Sequence, residues 1–482
     1  MLDRWFKLTE NGTTVRRELA AGLTTFLTMA YIIVIQPQVL SGGNTGMDFG
    51  AVTTATCLAA ALATLIMGLY ANYPIAQAPG MGENFFFVGS LLPAAAAVIA
   101  AGAASGTIAA GSTTPWQIGL GVIFLSGLLF LALSLLGVRE ALLAVVSPSM
   151  RDGIAAGIGL FIALLGLHNA GLVLSDPAGM HLNPQLASPD LIVFFCGLLV
   201  TAGLVARRVP GAIMWGMALA TALALGLLHG LPHAPPWLAG AAVVTQSKLA
   251  TALAPAEHVL RQHWAIAWPP SLDPTFFKMD VRHALAWPMI PFIFIFLFMV
   301  LFDTLGTLIG VAQQAGLIRD NKLPRARQAL VSDAIGTMAG AVLGTSTVTS
   351  FIESAAGVEQ GGRTGLTALC TAALFLLALF FSPLVALVGS YPPITAPALV
   401  VVGSMMMRNV AHIQWANYAE SLPAFLILIG IPLTFSIADG LTLGFIAYPL
   451  VKLCAGQGRE VRWLMYVMAL VLAVYFLFVR AY

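Results

Sequence analysis

Residues 343–362, LGTSTVTSFIESAAGVEQGG, lie between two long apolar segments. Thr345, Thr347, Val348 and Thr349 favour extended backbone, and an acidic residue, Glu353, follows almost at once before a short helix resumes. The first half of the chain carries a counterpart, QAPGMGENFFF at 77–87, where Pro79, Gly80 and Gly82 disfavour a continuous helix. Each stretch interrupts a segment that otherwise reads as a membrane span. Irregular backbone at membrane depth is tolerated only where protein buries it or where it lines a cavity. Paired interruptions in the two halves of a chain are the sequence mark of a transporter's binding site.

The surroundings support a polytopic membrane protein. Of 482 residues, 59% are hydrophobic and 9% are charged, and the mean hydropathy is +0.91. A net charge of +2 balances 22 basic against 20 acidic residues gathered mostly between apolar segments, which offers no nucleic-acid-binding face. Cys57, Cys196, Cys370 and Cys454 stand singly, so neither a disulfide framework nor a zinc site is indicated. The charges before the first apolar stretch end at Glu18, and no small-residue cleavage site follows, which reads as a retained helix and not a signal peptide.

A bilayer crossing needs roughly 17 to 25 apolar residues. Candidates fall at 19–40, 50–70, 79–100, 116–137, 146–168, 190–206 and 210–229, then, after a long loop at 230–284, at 286–315, 329–343, 351–360, 364–388, 395–410, 421–437 and 438–455. A further apolar stretch at 461–479 is ambiguous. Two sets of seven imply an inverted repeat, because an odd number of spans flips the second copy. Arg16, Arg17, Arg139, Arg151, Arg207, Arg208, the basic run Arg319 to Arg327, Arg363, Arg408, Lys452 and Arg459 all fall on one side if the N-terminus is cytoplasmic. The long loop, with LPHAPPW and WPPSLDP, then reads as an ordered or surface-lying extracytoplasmic connection.

Carboxylates inside such segments are functional candidates by default. Glu353, and in the other half Glu83 and Asn84, are expected near helix N-termini facing a central polar pocket; a helix N-cap is the plain alternative for Asn84. Asp303 follows an unbroken apolar run in FLFMVLFDTLGTLIGVAQQAG, with Thr307 one turn further along the same face. Gly306 and Gly310 form a GxxxG pair near that face, for which close helix packing is the ordinary reading. Asp333 reads as a solvated or capping residue near a cytoplasmic end, and Glu359 with Arg363 as a local ion pair.

The stretches GLTTFLTMAYIIVIQPQVL, GLYANYPIAQAPGMGENFFF, AGIGLFIALLGLHNAG, LFDTLGTLIGVA, TSTVTSFIESAAGVEQGGRTGLTAL and IPLTFSIADGLTLGFIAYPLVK, spread over residues 22–452, resemble the nucleobase-cation symporter-2 superfamily and, within it, the AzgA-like purine permeases. The resemblance implies an all-α polytopic, UraA-like fold of fourteen spans in two inverted sevens, with short strands in broken spans 3 and 10. It implies a core domain at 1–138 and 285–390, a gate domain at 139–230 and 391–482, and an extracytoplasmic loop at 231–284. By motif it assigns Asn84, Asp303 and Glu353 to purine binding and transport; Glu83, Thr307, Phe85, Phe351 and Ser354 are the further substrate-binding candidates, and Asp303 and Glu353, as carboxylates whose burial lets them titrate near neutral pH, are the candidates for proton coupling. Phe85, Phe86 or Phe351 is placed to stack on a heterocycle, packing being the ordinary role of such residues. Two features depart from the family: the position before Asn84, commonly apolar, is Glu83, and the last apolar stretch exceeds fourteen spans.

The resemblance implies a symporter in the inner membrane, with a purine nucleobase and protons as partners in a lipid bilayer. No cofactor, metal or nucleic acid is expected, and a homodimer is left open. The alternatives are a uracil or xanthine permease of the same superfamily, a sulfate-permease-like anion transporter, and a membrane-embedded hydrolase, for which neither HExxH nor GxSxG is present.

Overall fold

The computed structural model describes residues 2–42, 45–109, 111–136, 146–176, 179–233, 235, 244, 246–263, 265–317 and 324–474. Among these, ten helices are long and apolar enough to cross a membrane: Val15–Ser41, Phe49–Ala71, Met81–Ala104, Pro115–Leu136, Pro148–Asn169, Pro189–Ala206, Ala212–His233, Trp287–Ala312, Gly365–Ser390 and Pro392–His412. Tyr418–Thr434 is a shorter apolar helix. Large apolar side chains, Leu136, Leu199, Leu219 and Leu433 among them, are exposed, the reverse of a water-soluble surface. The protein is a multi-pass, mostly helical membrane protein.

The first seven of these helices coincide with the first seven expected segments. In the second half, the expected segments at 286–315, 364–388 and 395–410 fall on helices of this kind, 421–437 falls on the shorter Tyr418–Thr434, and 329–343 and 438–455 are helical over Ala326–Leu343 and Ile437–Cys454. Residues 351–360 belong to the expected broken segment: Val348–Ser350 is extended and Ser354–Glu359 is a six-residue helix that rises only about 9 Å, so no continuous helix crosses there. The expected domain boundary at 138/139, Arg139, Arg319 and the end of the 461–479 stretch lie outside the described residues. The described part of that stretch is helical over Trp463–Val474.

Nine helices and four strands position the candidate site. In chain order they are α1 (Val15–Met29), α2 (Ile32–Ser41), α3 (Phe49–Ile66), β1 (Gln77–Pro79), α4 (Met81–Phe86), α5 (Pro148–Asn169), a surface hairpin of β2 (Val173–Asp176) and β3 (Gly179–Leu182), α6 (Ile290–Gln314), α7 (Ala326–Leu343), β4 (Val348–Ser350), α8 (Ser354–Glu359) and α9 (Gly365–Ala378). Strands β1 and β4 pair antiparallel, with Gln77 opposite Ser350, Ala78 opposite Thr349 and Pro79 opposite Val348. Gly80 N–H donates to the Thr347 carbonyl and Phe351 N–H to the Ala76 carbonyl, each at 3.0 Å, which extends the ladder at both ends. Gly344, at φ +99°, supplies the left-handed residue that ends α7 and turns the chain into β4.

A two-stranded ribbon leaves outer backbone groups that need partners in an apolar interior. Hydroxyl side chains provide them. Thr64 on α3 both accepts from Gln77 N–H at 2.9 Å and donates to the Gln77 carbonyl at 3.0 Å. Thr337 on α7 donates to the Val348 carbonyl at 2.9 Å, and the Ser354 hydroxyl accepts from Ala76 N–H at 3.0 Å.

The connection after Ala212–His233 contains the helix Leu249–His263. On the other face, Glu18 does more than begin the first span. Its buried carboxylate accepts the N–H groups of Arg363, Thr364 and Thr367 at 2.9, 3.3 and 3.1 Å and the Thr367 hydroxyl at 2.6 Å, capping the start of α9. Arg363 meanwhile donates to the carbonyls of Val358 and Gly362, and Glu359 accepts from Gln314 at 2.8 Å. The expected Glu359 and Arg363 ion pair is therefore replaced by separate contacts, because Arg363 is held by backbone oxygens.

The start of α9 also packs backbone to backbone. A Cβ on Gly365 would strike the Gly68 carbonyl, with the carbonyl carbon at 2.7 Å, whereas a Cβ on Gly306 would meet nothing within 4 Å. Gly365→Ala is expected to destabilise the protein by about 1–3 kcal/mol through overpacking and to lower its unfolding midpoint in detergent. Gly306→Ala is expected to leave the midpoint unchanged or raise it slightly. Equal midpoints for the two variants contradict this packing.

Candidate functional site

Four carboxylates surround the β1–β4 ribbon. Glu83 lies on α4, Asp303 on α6 and Asp333 on α7, and Glu353 immediately precedes α8. Glu83 is within electrostatic reach of Asp303 and Asp333, and Asp303 is within reach of Glu353. Their surroundings differ.

Asp303 is exposed, while Thr304 and Thr307 beside it are buried. Thr349 of β4 lies close to the Asp303 carboxyl. Further along the same helix face, Gly306, Gly310 and Gln314 are exposed as well. A Cβ on Gly310 would touch only Ile352 Cδ1, at 3.5 Å. Ile352 is itself 54% exposed, and Glu353 next to it is half-buried. An ionisable residue on a lipid-facing stripe is costly, so this stripe reads as the wall of a polar opening between α6 and the break before α8. The expected helix-packing role of Gly306 and Gly310 is corrected accordingly. A second GxxxG pair, Gly336 and Gly340 on α7, does pack closely: added Cβ atoms would lie 2.8 Å from Ala63 Cβ and 2.6 Å from the Ser346 carbonyl oxygen.

Glu353 occupies the N-cap position of α8, as expected, without a capping bond from its side chain. Instead Glu353 Oε1 accepts the Tyr31 hydroxyl at 2.7 Å. Glu83 is only 4% exposed and folds its carboxylate back over Gly80, where an added Cβ would lie 2.8 Å from Glu83 Cδ and 3.1 Å from Thr349 Oγ1. The missing side chain at Gly80 is what lets that carboxylate approach the ribbon.

Asn84 is 0% exposed and does not face an open pocket. Its amide donates to Gln36 Oε1 and accepts the Ser346 hydroxyl, while Gln36 Nε2 donates to Thr345 Oγ1 at 2.8 Å and Ser346 Oγ at 3.0 Å. The N-cap alternative also fails, because Gly80 holds the cap position of α4. Asn84 thus locks the first broken segment to the second.

Asp333 is fully buried, not solvated as expected, because α7 turns it toward β4. Ser350 Oγ donates to Asp333 Oδ1 at 3.0 Å, and Thr304 of α6 faces the same carboxyl. Ser332 Oγ donates to Gln77 Oε1 at 3.0 Å, which joins α7 to β1 as well.

The aromatic candidates pack against protein. Phe86 lies against Phe292 and Phe296, with centroids 5.8 and 4.9 Å away, and Phe85 meets Phe161 of α5 edge-on at 6.2 Å. Phe351 is buried, and Ser354 is occupied by the Ala76 N–H. Sequence reasoning singled out neither Tyr31 nor Gln36; the available signal was two hydrogen-bonding side chains inside the apolar run MAYIIVIQPQVL.

With this geometry in view, comparison with known proteins places the chain. The family model described as "Permease family" matches residues 16–443. The chain belongs to that family, of the nucleobase-cation symporter-2 type. It is 40% identical over 473 residues to a guanine/hypoxanthine permease of Bacillus subtilis, covering 96% of this chain and 98% of that one. It is 37% identical over 483 residues to an adenine permease of Escherichia coli, covering 100% and 97%. Family and relatives are permeases, not enzymes. In fold it is similar to the transmembrane domain of a cyanobacterium bicarbonate transporter, with a TM-score of 0.58, 13% identity and coverage of 89% of this chain and 96% of that one.

The open and packed glycine pairs are separable by chemistry. With Cys57, Cys196, Cys370 and Cys454 replaced by serine, Gly306→Cys and Gly310→Cys are expected to react with a small hydrophilic thiol reagent, and Gly336→Cys to resist it. A Gly306→Cys protein that folds yet labels no faster than Gly336→Cys overturns the opening.

Proposed function

We propose that this permease is a secondary active transporter that imports purine nucleobases, guanine, hypoxanthine or adenine, together with protons. The observation that carries this reading is the pair of carboxylates, exposed Asp303 and half-buried Glu353, beside the β1–β4 ribbon, in a chain whose relatives carry the names of guanine/hypoxanthine and adenine permeases. Purines present ring N–H groups and, in guanine and adenine, an exocyclic amine, which are donors for carboxylate oxygens. Fixed carboxylates at the opening are unsuited to bicarbonate or sulfate, so the likeness to the bicarbonate transporter is carried over for fold alone.

The architecture proposed with it is fourteen spans in two inverted sevens. A core domain of residues 1–138 and 285–390 moves against a gate domain of 139–230 and 391–482, and the N-terminus lies in the cytoplasm. The sorting of basic residues to one side supports this orientation. The Asn84, Gln36 and Ser346 bonds and the β ribbon would then move with the core domain as one body, since all join its two parts.

Expression in bacteria lacking their own purine permeases is expected to restore uptake of radiolabelled hypoxanthine, with guanine and adenine competing and uracil not. Uptake no greater than in vector controls, with the protein present in the membrane, refutes the reading. Asp303 and Glu353 are expected to divide the work. Glu353→Gln exchanges one acceptor oxygen for a donor and is expected to weaken purine binding by about tenfold or more, the scale of a hydrogen bond to a charged group. Asp303→Asn cannot carry a proton, so reconstituted protein is expected to bind purine yet fail to concentrate it when a proton gradient is imposed. Gradient-driven accumulation by Asp303→Asn removes Asp303 from proton coupling.

A further inference from the structure

We propose that Tyr31 is a positioning residue for the substrate-binding carboxylate, fixing which oxygen of Glu353 is presented to the purine. Resting on the purine reading above, this assigns a determinant of selectivity outside the two broken segments.

Tyr31 sits where the first span is interrupted, between the end of α1 at Met29 and the start of α2 at Ile32. Its side chain is 1% exposed, so the ring cannot reach an open cavity and does not itself touch substrate. Its hydroxyl nevertheless ends on Glu353 Oε1 at 2.7 Å, within the range of a strong O–H to carboxylate bond. Thr28, one turn earlier, donates its hydroxyl to the Thr25 carbonyl at 2.8 Å and has the Glu353 backbone carbonyl 3.4 Å from the same oxygen. The same turn of the first span thus contacts Glu353 at both backbone and side chain.

Glu353 has no capping bond of its own to hold its rotamer, and its neighbour Ile352 is 54% exposed. A glutamate there would otherwise rotate and offer either oxygen. With Oε1 committed to Tyr31, Oε2 is left as the acceptor for a ring N–H or amino group of the base. One fixed acceptor discriminates among donor patterns better than a freely turning carboxylate, because a misplaced donor is left unpaired in the site.

The test compares Tyr31→Phe with Tyr391→Phe. Tyr391 is also fully buried and donates to a carboxylate, that of Asp190, away from the candidate site, and so provides a matched structural control. For Tyr31→Phe, the expected result is wild-type abundance in the membrane, a KM for hypoxanthine raised about tenfold with Vmax within twofold, and a narrowed gap between hypoxanthine and adenine as competitors. Tyr391→Phe is expected to leave KM and the order of competitors unchanged, whatever it does to abundance. An unchanged KM and competitor order in Tyr31→Phe overturns the proposal, as does a loss confined to abundance or thermal stability. If Tyr31→Phe is too poorly folded for uptake, hypoxanthine binding to detergent-purified Thr28→Val and wild-type protein decides: weakened binding by Thr28→Val supports control of Glu353 from this turn, and unchanged binding overturns it. Wild-type protein lacking purine uptake fails the purine reading itself, a result distinct from either outcome for Tyr31.

Discussion

The antiparallel pairing of Gln77–Pro79 with Val348–Ser350 is the contact on which the rest of the site depends. Helices satisfy their own backbone in an apolar interior, whereas a six-residue ribbon cannot. Each strand pairs with the other on one side and needs outside partners elsewhere. Thr64, Thr337 and Ser354 supply them. Their positions on α3, α7 and the start of α8 force those elements to converge. The polar residues of the bundle interior are thus required by a backbone that leaves helical geometry, and the carboxylates gather where that backbone is.

Once the ribbon is fixed, small residues decide what is closed and what is open. On α7, the Gly336 and Gly340 pair allows Ala63 and the Ser346 carbonyl to approach, which seats the ribbon against α3 and α7. On α6, the Gly306 and Gly310 pair has no such neighbours, and the space in front of it continues from Asp303 toward Gln314. The same spacing therefore produces contact in one helix and clearance in the other. The difference lies in what the rest of the chain brings to that face.

This explains which parts of the site were legible in the sequence. Asp303, Glu353 and the two interruptions stood out because a charge or a glycine-proline break is anomalous in an apolar run. Asp333 was misplaced because its proximity in sequence to the basic run before α7 suggested water, whereas the helix turns it toward Ser350. Asn84 was recognised as special but its direction was not, since the partner that absorbs its amide, Gln36, is 48 positions away. Tyr31 was invisible for the same reason: a tyrosine in a first span is unremarkable until Glu353, 322 positions on, arrives beside its hydroxyl. Anomalies of composition are local and can be read, but partnerships between distant spans are created by the fold.

Those partnerships also constrain how the site can work. Tyr31 holds Glu353, Gln36 and Asn84 hold Thr345 and Ser346, and Ala76 holds Phe351 and Ser354. The first half of the chain therefore grips the second at the strand, at the turn before it and at the carboxylate after it. Neither broken segment has a complete set of partners without the other, so the binding geometry forms only when both halves have folded together. A displacement that separated the two segments would leave several buried polar groups unpaired, at roughly 1–3 kcal/mol each. Displacement beside Asp303 and Glu353 would cost far less where the boundary is van der Waals clearance, and the glycine face of α6 is such a boundary. The physical division between a hydrogen-bonded ribbon that is costly to part and a glycine face with clearance in front of it is what the proposed meeting of Asp303 and Glu353 with a purine would draw on.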